Sequence, residues 1–343
     1  MAFTELVTDR LLLRPVLPSD AASLVERRND PEVARFQNWT SPYSLEQADA
    51  LIAETMQLDG PTDGEWYTMT VADRADRAVL GDVVVYLSSA GRTAEIGYTL
   101  AREYWGRGYA TEAAAALVEY LFESLAVTRV TASLHPDNQS SAMVLERVGM
   151  LFEGHTRSSF WLGEDNSDDW IYGMLRADWD AWRTRPRGRP GVVALTEITP
   201  DTVRTVGAIR GHRSQERFVA PVPVSFGDAM FPEIVDGRPL EPWMRAIDAD
   251  GTLAGFVMVA CSTDAHPEPY LWRLLVDRMH QRRGVGGTAV DLVIEQCRAW
   301  GDRALRVSWV PGRGSPGPLY LARGFVPTGE IIDGEIEARL VLG

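Results

Sequence analysis

A glycine-spaced stretch occurs twice in this chain, and its surroundings leave few folds open. The first copy is Tyr104-Trp105-Gly106-Arg107-Gly108-Tyr109-Ala110-Thr111-Glu112-Ala113, and the second is Gln281-Arg282-Arg283-Gly284-Val285-Gly286-Gly287-Thr288-Ala289. An apolar β-like run precedes each, Ala94 to Leu100 in one case and Tyr270 to Val276 in the other, and an alanine- or valine-rich helical pattern follows. Strand, glycine turn and helix, in that order, aim backbone N–H groups at a phosphate. Glycine lets the chain come close, and the helix N-terminus adds partial positive charge. The second copy, Gln-x-x-Gly-x-Gly, is neither a Walker loop, which ends in Gly-Lys-Ser/Thr, nor a dinucleotide fingerprint with its third glycine. A single glycine turn is more often structural than functional; two copies in the same context favour function. Their spacing is too long for a solenoid repeat, so the halves are tandem domains.

The remaining pattern fits that division. In the first half, Leu6 to Arg14, Trp66 to Val71, Ala78 to Leu87, Ala94 to Leu100 and Val127 to Leu134 are predicted strands, broken by polar turn clusters. Ser19-Asp20, Asn29-Asp30-Pro31 and Ser44-Leu45-Glu46-Gln47 open helices, the last in the manner of a capping box. Helices are predicted at Tyr109 to Glu123 and Gln139 to Arg147, the latter stopped by Gly149. Met150 to Gly154, Arg157 to Leu162 and Asp169 to Leu175 complete a mixed sheet, and Asp178 to Arg183 forms a closing helical turn. Residues 184–191 are rich in proline, glycine and arginine with no apolar periodicity, and are expected to be a linker. The second half restarts with a strand at Val192 to Ile198 and a helix at Thr199-Pro200-Asp201, with another helix near Phe226. Strands follow at Met244 to Ile247, Leu253 to Ala260 and Tyr270 to Val276. A helix over Gly287 to Trp300, a strand over Ala304 to Val310, the stretch Pro316 to Arg323 and a last hairpin opened by Gly324-Phe325 complete it.

At 343 residues each half can bury its own core. No apolar run reaches the roughly 18–20 residues of a membrane span, and Met1 to Glu5 shows no basic and apolar leader pattern. A cytoplasmic protein without a membrane partner is expected. The net charge is −14 and the pI about 4.9, which repels nucleic acid and favours cationic small molecules or basic peptides. Every basic residue is arginine. The cysteines, Cys261 and Cys297, lie in apolar runs as buried thiols, and no Cys/His spacing suggests a metal.

Arg/Gln-x-x-Gly-x-Gly/Ala between a strand and a helix resembles the acetyl-CoA pyrophosphate loop of the GNAT N-acetyltransferases, and the two halves that resemble this superfamily cover nearly the whole chain. The resemblance implies an α/β (α+β) protein of two tandem GNAT domains, residues 1–183 and 192–343, each a mixed, mostly antiparallel central sheet flanked by helices. Glu-Ile-Gly-Tyr at 95–98, the loop, then Asn138-Gln139-Ser140-Ser141 and Val144 to Met150 resemble the RimJ/RimL-type acetyltransferases of ribosomal-protein N-termini and related antibiotic acetyltransferases. Gln215 to Pro221, Trp272 to Asp277 and Leu319 to Phe325 resemble bacterial spermine/spermidine acetyltransferases.

The resemblance then implies the site residues. Acetyl-CoA would be held in the first half by Tyr98, Leu100, Arg107, Gly108, Tyr109, Ala110, Thr111, Asn138 and Ser141, with Trp105 replacing the usual leading Gln or Arg. In the second half it would be held by Leu275, Val276, Gln281, Arg282, Arg283, Gly284, Val285, Gly286, Gly287 and Thr288, although Pro311 to Ser315 offers no equivalent of Asn138. Asn138 also suits a helix cap. Tyr320 would protonate the departing thiolate; the equivalent in the first half is Leu145, so Ser141 or water would serve there. Glu95 and Glu268 are the candidate bases, with ordered water as the alternative, and His135 beside Pro136 suits a turn. Trp39, Trp66, Tyr67, Phe160 and Trp161 are candidates for an acceptor slot or for packing, and the acidic run Glu164 to Asp169 for attracting an amine or forming a solvated turn. An acetyl-CoA-dependent transferase acting on a small cationic amine, such as an antibiotic or polyamine, is the leading expectation. Acetylation of a protein N-terminus and a CoA-binding sensor or pseudo-enzyme are the alternatives. Which half works, the acyl chain and the oligomeric state stay open at this level.

Overall fold

The computed structural model describes residues 3–162, 164–235 and 237–343, so Met1 and Ala2 of the stretch inspected for a leader lie outside the described residues. The chain divides into two compact units, Met1–Arg183 and Thr184–Gly343. Each has a mixed, mostly antiparallel sheet flanked by helices.

The first unit is built on β1 (Leu6–Val7), β2 (Leu11–Pro15), β3 (Trp66–Asp73), β4 (Val79–Ser88), β5 (Thr93–Leu100), β6 (Arg129–Leu134), β7 (Leu151–Leu162) and β8 (Asp165–Leu175). They form one sheet in the order β1-β2-β3-β4-β5-β6-β8-β7. Its helices are α1 (Ala21–Asn29), α2 (Pro31–Ala34), α3 (Leu45–Met56), α4 (Tyr109–Glu123), α5 (Gln139–Val148) and α6 (Arg176–Thr184). Strand alternation decides which side each residue serves. Tyr67, Met69, Val83, Val85, Ala94 and Ile96 join Ala114, Leu117 and Leu121 of α4 in the main core. The other face carries buried polar groups under α1: Arg27 pairs with Asp82, while Asp20 accepts from Arg14 (2.8 Å) and Thr70 (2.7 Å). Ser44 opens α3 with a reciprocal capping box, Ser44 Oγ taking the Gln47 N–H and Gln47 Oε1 the Ser44 N–H.

The second unit contains β9 (Val193–Thr196), α7 (Val203–Gly207), α8 (Val222–Met230), the small hairpin β10 (Ile234–Val235) and β11 (Arg238–Pro239), then β12 (Pro242–Ala249), β13 (Thr252–Ala260) and β14 (Tyr270–Val276). After these come α9 (Val285–Trp300), β15 (Ala304–Trp309), α10 (Gly317–Leu321), β16 (Val326–Ile332) and β17 (Glu335–Val341). The sheet order is β16-β17-β15-β14-β13-β12-β9. Val285, Ala289, Val293 and Cys297 of α9 pack on Leu271, Leu305, Val307 and Ala338.

In each sheet the one parallel pair of strands among the described residues includes the strand that leads into the glycine turn. β5 pairs with β6 over only Thr93–Glu95 and Arg129–Thr131, then stays with β4 as far as Leu100. β14 pairs with β15 over only Tyr270–Leu271 and Arg306–Val307. Beyond those residues the strands part, and a crevice opens at their carboxyl ends, where α/β sheets place ligands.

Three local expectations are corrected. Met150 to Leu162 is not two strands: it is the single strand β7, carried across two register shifts. Most of the acidic run is strand rather than turn: Asp165 to Asp169 open β8, where Asp168 accepts from His155 Nε2 (2.8 Å) and the Ser158 N–H (2.9 Å), and Asp169 from Ser159 Oγ (2.8 Å). The expected linker is largely bound to the second unit. Arg283 Nε donates to the Gly188 carbonyl (2.7 Å), and Asp250 accepts from the Gly191 and Val192 N–H groups.

Candidate active site

The two glycine turns are geometrically the same object. Gly106 (φ 76°) matches Arg282 (φ 63°), and Gly108 matches Gly284, both at φ 84° and both capping the following helix. At Arg282 an ordinary residue holds the left-handed conformation that glycine takes in the first copy. The first intrahelical bonds run from Glu112 N–H to Gly108 O and from Thr288 N–H to Gly284 O. Gly108 to Thr111, and Gly284 to Gly287, therefore present first-turn N–H groups with no intrahelical acceptor.

Trp105, a departure in sequence, is not one in geometry. Its Nε1–H donates to the carbonyl of Leu100 (2.8 Å), and Gln281 Nε2–H donates to the carbonyl of Val276 (3.0 Å). Each side chain ties its loop to the last carbonyl of the preceding strand. Gln281 also bonds Gln215 in both directions, Nε2 to Oε1 at 2.8 Å and the return bond at 3.3 Å.

The arginines divide. Arg282 is exposed and lines a cavity of about 340 Å³ with Gln281, Gly284, Gly286, Leu275, Val276 and Tyr320. Arg283 is buried, its guanidinium held by Gly188 O and His280 Nδ1 (2.9 Å), so it is a strut of the loop rather than a phosphate ligand. Burial lowers the His280 pKa, consistent with a neutral ring accepting that bond. A Cβ at Gly287 would meet the Arg323 guanidinium, which donates to the Gly287 carbonyl (2.9 Å) and would have to move aside. Thr288 is exposed, with its hydroxyl on Gly284 O (3.3 Å). In the first unit Arg107 is exposed, and Arg10, a residue the sequence gave no reason to select, donates to its carbonyl (3.0 Å). Arg10 also pairs with Glu112, whose carboxyl lies below its ordinary pKa because bonds from Thr8 and Arg10 outweigh its desolvation.

The helices after β6 and β15 are also equivalent. Gly149 (φ 106°) and Gly324 (φ 86°) end the turn, and Met150 N–H bonds Leu145 O as Phe325 N–H bonds Tyr320 O. Leu145 thus occupies the place of Tyr320 and is core. The first unit carries its phenol on the strand instead. Tyr98 OH lies 2.8 Å from Ser141 Oγ and 2.9 Å from Ser141 O, and Asn138 Oδ1 caps α5 by accepting the Ser141 N–H (3.2 Å). The matching strand residue of the second unit is Leu274, since Tyr98 pairs with Val83 two positions from the Gly81–Leu100 pair, as Leu274 pairs with Val257 two from Gly255–Val276. Each unit has a tyrosine where the other has a leucine. Burial pushes both phenols well above the ordinary tyrosine range, so both stay protonated.

Glu95 points to the sheet face opposite α4, flanked on neighbouring strands by Tyr86 and Thr131. Burial first, and then the charge of Asp169, raises its pKa. Trp66, 49% exposed, packs at a tilt against Tyr86 (ring centroids 5.2 Å apart) at this face, whereas Tyr67 is core and Trp39 donates to Arg28 O (3.0 Å). Phe160 and Trp161 lie on β7, Trp161 59% exposed. His135 holds a turn, its Nδ1 accepting the Asp137 N–H (3.1 Å). Glu268 is not placed like Glu95. It lies before β14 and accepts from Arg339 at 2.6 to 3.0 Å, which is the first cause of its lowered pKa. A carboxylate held ionised by a guanidinium is a poor base. The residue opposite Arg306, as Glu95 is opposite Thr131, is Tyr270.

Among the described residues no group of His, Cys, Asp and Glu could hold a metal ion, and no helix is long and apolar enough to cross a membrane. Residues 10–151 match the model of an acetyltransferase (GNAT) domain, and residues 206–313 that of the acetyltransferase (GNAT) family. Among curated proteins, the chain is 33% identical over 153 residues to the uncharacterised N-acetyltransferase p20 of Bacillus licheniformis, covering 44% of this chain and 85% of that protein. It is 29% identical over 176 residues to the uncharacterised N-acetyltransferase YoaA of Bacillus subtilis, covering 51% and 98%. It is 23% identical over 189 residues to the [ribosomal protein uS5]-alanine N-acetyltransferase of Escherichia coli, covering 52% and 94%.

Proposed function

The chain belongs to the GNAT acetyltransferase family, with two such domains in tandem, and from that premise we propose that it transfers the acetyl group of acetyl-CoA to the primary amine of a small cationic molecule such as a polyamine or an amine antibiotic. The observation that carries the choice of acceptor is the acidic, aromatic-flanked face of the first unit. Glu95 and Asp169 repel one another there beside Trp66 and Tyr86. Such a face attracts a cation, and a carboxyl of raised pKa can accept a proton from it.

The residues present fit acetyl-CoA as a substrate. The first-turn N–H groups and Arg282 suit its phosphates, and the parted strands offer carbonyl and N–H groups to an extended amide chain. In the first unit Glu95 takes the proton that frees the amine for attack. Tyr98, whose position Ser141 fixes, protonates the leaving sulfur. In the second unit Tyr320 has that second task, from the wall of the cavity.

Protein N-terminal acetylation is the second reading, favoured by the likeness to the enzyme named for ribosomal protein uS5 alanine. Thiol release from acetyl-CoA, measured against polyamines, aminoglycosides and N-terminal peptides, separates the two. Ala110→Trp and Gly286→Trp, at equivalent helix positions, block one loop each. Turnover of small amines, lost in one variant or divided between them, supports the proposal. Turnover confined to the peptides refutes it.

A further inference from the structure

With Glu268 held by Arg339, the second unit needs another group to take the proton of the amine. Strand register supplies it. In the first unit Ser133 is opposite Ile171, and Asp169 lies two residues earlier on β8. In the second, Ser308 is opposite Glu337, and Glu335 lies two residues earlier, at the start of β17. The pairs Glu95–Thr131 and Tyr270–Arg306 anchor the correspondence. Asp169 and Glu335 therefore hold the same place, each an acid facing the first residues of the parted strands.

The second unit connects its acid to the crevice. Ser308 lines the cavity. Its hydroxyl donates to Glu335 and lies 2.6 Å from Tyr270 OH. An ionised carboxylate only accepts, so the Ser308 proton is committed to Glu335, and Tyr270 must be the donor to Ser308. A serine oxygen accepts two bonds, and Tyr270 fills one. We infer that an acceptor amine fills the other, and that Glu335, through Ser308, is the proton acceptor of the second unit; the inference rests on the acetyltransferase reading of that unit. The N–H bond of the ammonium breaks toward Ser308 Oγ as the Ser308 O–H proton passes to Glu335, leaving a neutral amine, an intact serine and a protonated carboxyl. Ser308 touches the substrate, while Glu335 and Tyr270 act through it. The charged groups around the relay are otherwise engaged. Arg306 pairs with Glu337 (2.6 Å), Arg339 with Glu268 and Arg273 with Asp228 (3.1 Å), and the phenol of Tyr320 faces Tyr270 and Glu335 from α10.

The test uses the full chain with its first loop blocked by Ala110→Trp. Thiol release is followed across pH with spermidine and with the fastest amine of the panel above. Glu335→Gln is expected to lower kcat/KM by ~100-fold at neutral pH and to abolish the acid limb of the profile. Glu335→Asp should keep the limb at a reduced rate. Ser308→Ala should reproduce Glu335→Gln, and acetyl-CoA should still bind Glu335→Gln with the affinity of the parent. An acid limb unchanged in both Glu335→Gln and Ser308→Ala overturns the relay and leaves the transferase reading standing. A parent that binds acetyl-CoA but acetylates no amine overturns the transferase reading of this unit, and the relay with it.

Discussion

Gln281→Leu and Trp105→Phe should weaken acetyl-CoA binding in their own units, by clearly different amounts. Trp105→Phe keeps a ring and removes one bond, Nε1–H to Leu100 O at 2.8 Å. A single such bond contributes ~0.5–1.5 kcal/mol, a factor of roughly 2–10 in KM for acetyl-CoA. Gln281→Leu removes the 3.0 Å bond to Val276 O and the paired amide bonds of 2.8 and 3.3 Å to Gln215. Gln215 then retains the His212 N–H on its oxygen but loses its contact with the loop. Two good bonds and one long one sum to about 1.5–3 kcal/mol, a factor of roughly 10–150. Both changes loosen the loop against the strand end and leave the reacting groups in place, so kcat at saturating acetyl-CoA should hold within about threefold. The assay is initial-rate thiol release with the other loop blocked. Equal effects at the two sites, or a fall in kcat at unchanged KM, would refute the account of these side chains as loop ties.

On the proposed role of each phenol at the leaving sulfur, removing Tyr98 OH or Tyr320 OH by Phe substitution should lower kcat ~10–100-fold in the respective unit with little change in KM. With Glu95 as the proposed base, the first unit should show an acid limb in kcat/KM above the ordinary carboxylate range, since burial and Asp169 raise the Glu95 pKa. Asp169→Asn should move that limb to lower pH, and Glu95→Gln should remove it. The same shift makes Glu95 bind its proton more tightly when folded, so its contribution to stability is present below the unfolded glutamate pKa and is lost as pH rises through the raised folded value; Glu95→Gln should flatten this part of a Tm–pH curve. Gly149→Ala should destabilise the first unit by about 2–5 kcal/mol, because φ is 106° and the new Cβ would meet Trp182 Cγ at 2.3 Å. Calorimetry should show a fall of roughly 5–15 °C for one transition and no change in the other.

The fold was largely legible because its signals are local. The capping box at Ser44, the turn clusters between β3, β4 and β5, and Gly149 with Gly324 each carry their reason within a few residues. The pairing of Arg10 with Glu112 and of Gly188 with Arg283 was not, since chemistry joins residues about a hundred positions apart with no periodicity to announce it. Glu268 shows the cost of arguing from nearness to a strand start: its neighbour Arg339 comes from β17. Tyr98 was selected for the right strand, but its hydroxyl bond to Ser141 depends on where α5 docks. Glu335 lies at the end of the last hairpin and becomes meaningful only through the β15–β17 register. Register links residues across strands, and composition carries no trace of it.

The most direct measurement is the stoichiometry of acetyl-CoA binding by titration calorimetry on the intact chain, Ala110→Trp and Gly286→Trp. Two glycine turns with the same conformation at Gly108 and Gly284 predict two equivalents for the intact chain and one for each variant. Binding of no acetyl-CoA by the intact chain, or two equivalents retained in both variants, would contradict the assignment of these turns as the sites that hold it.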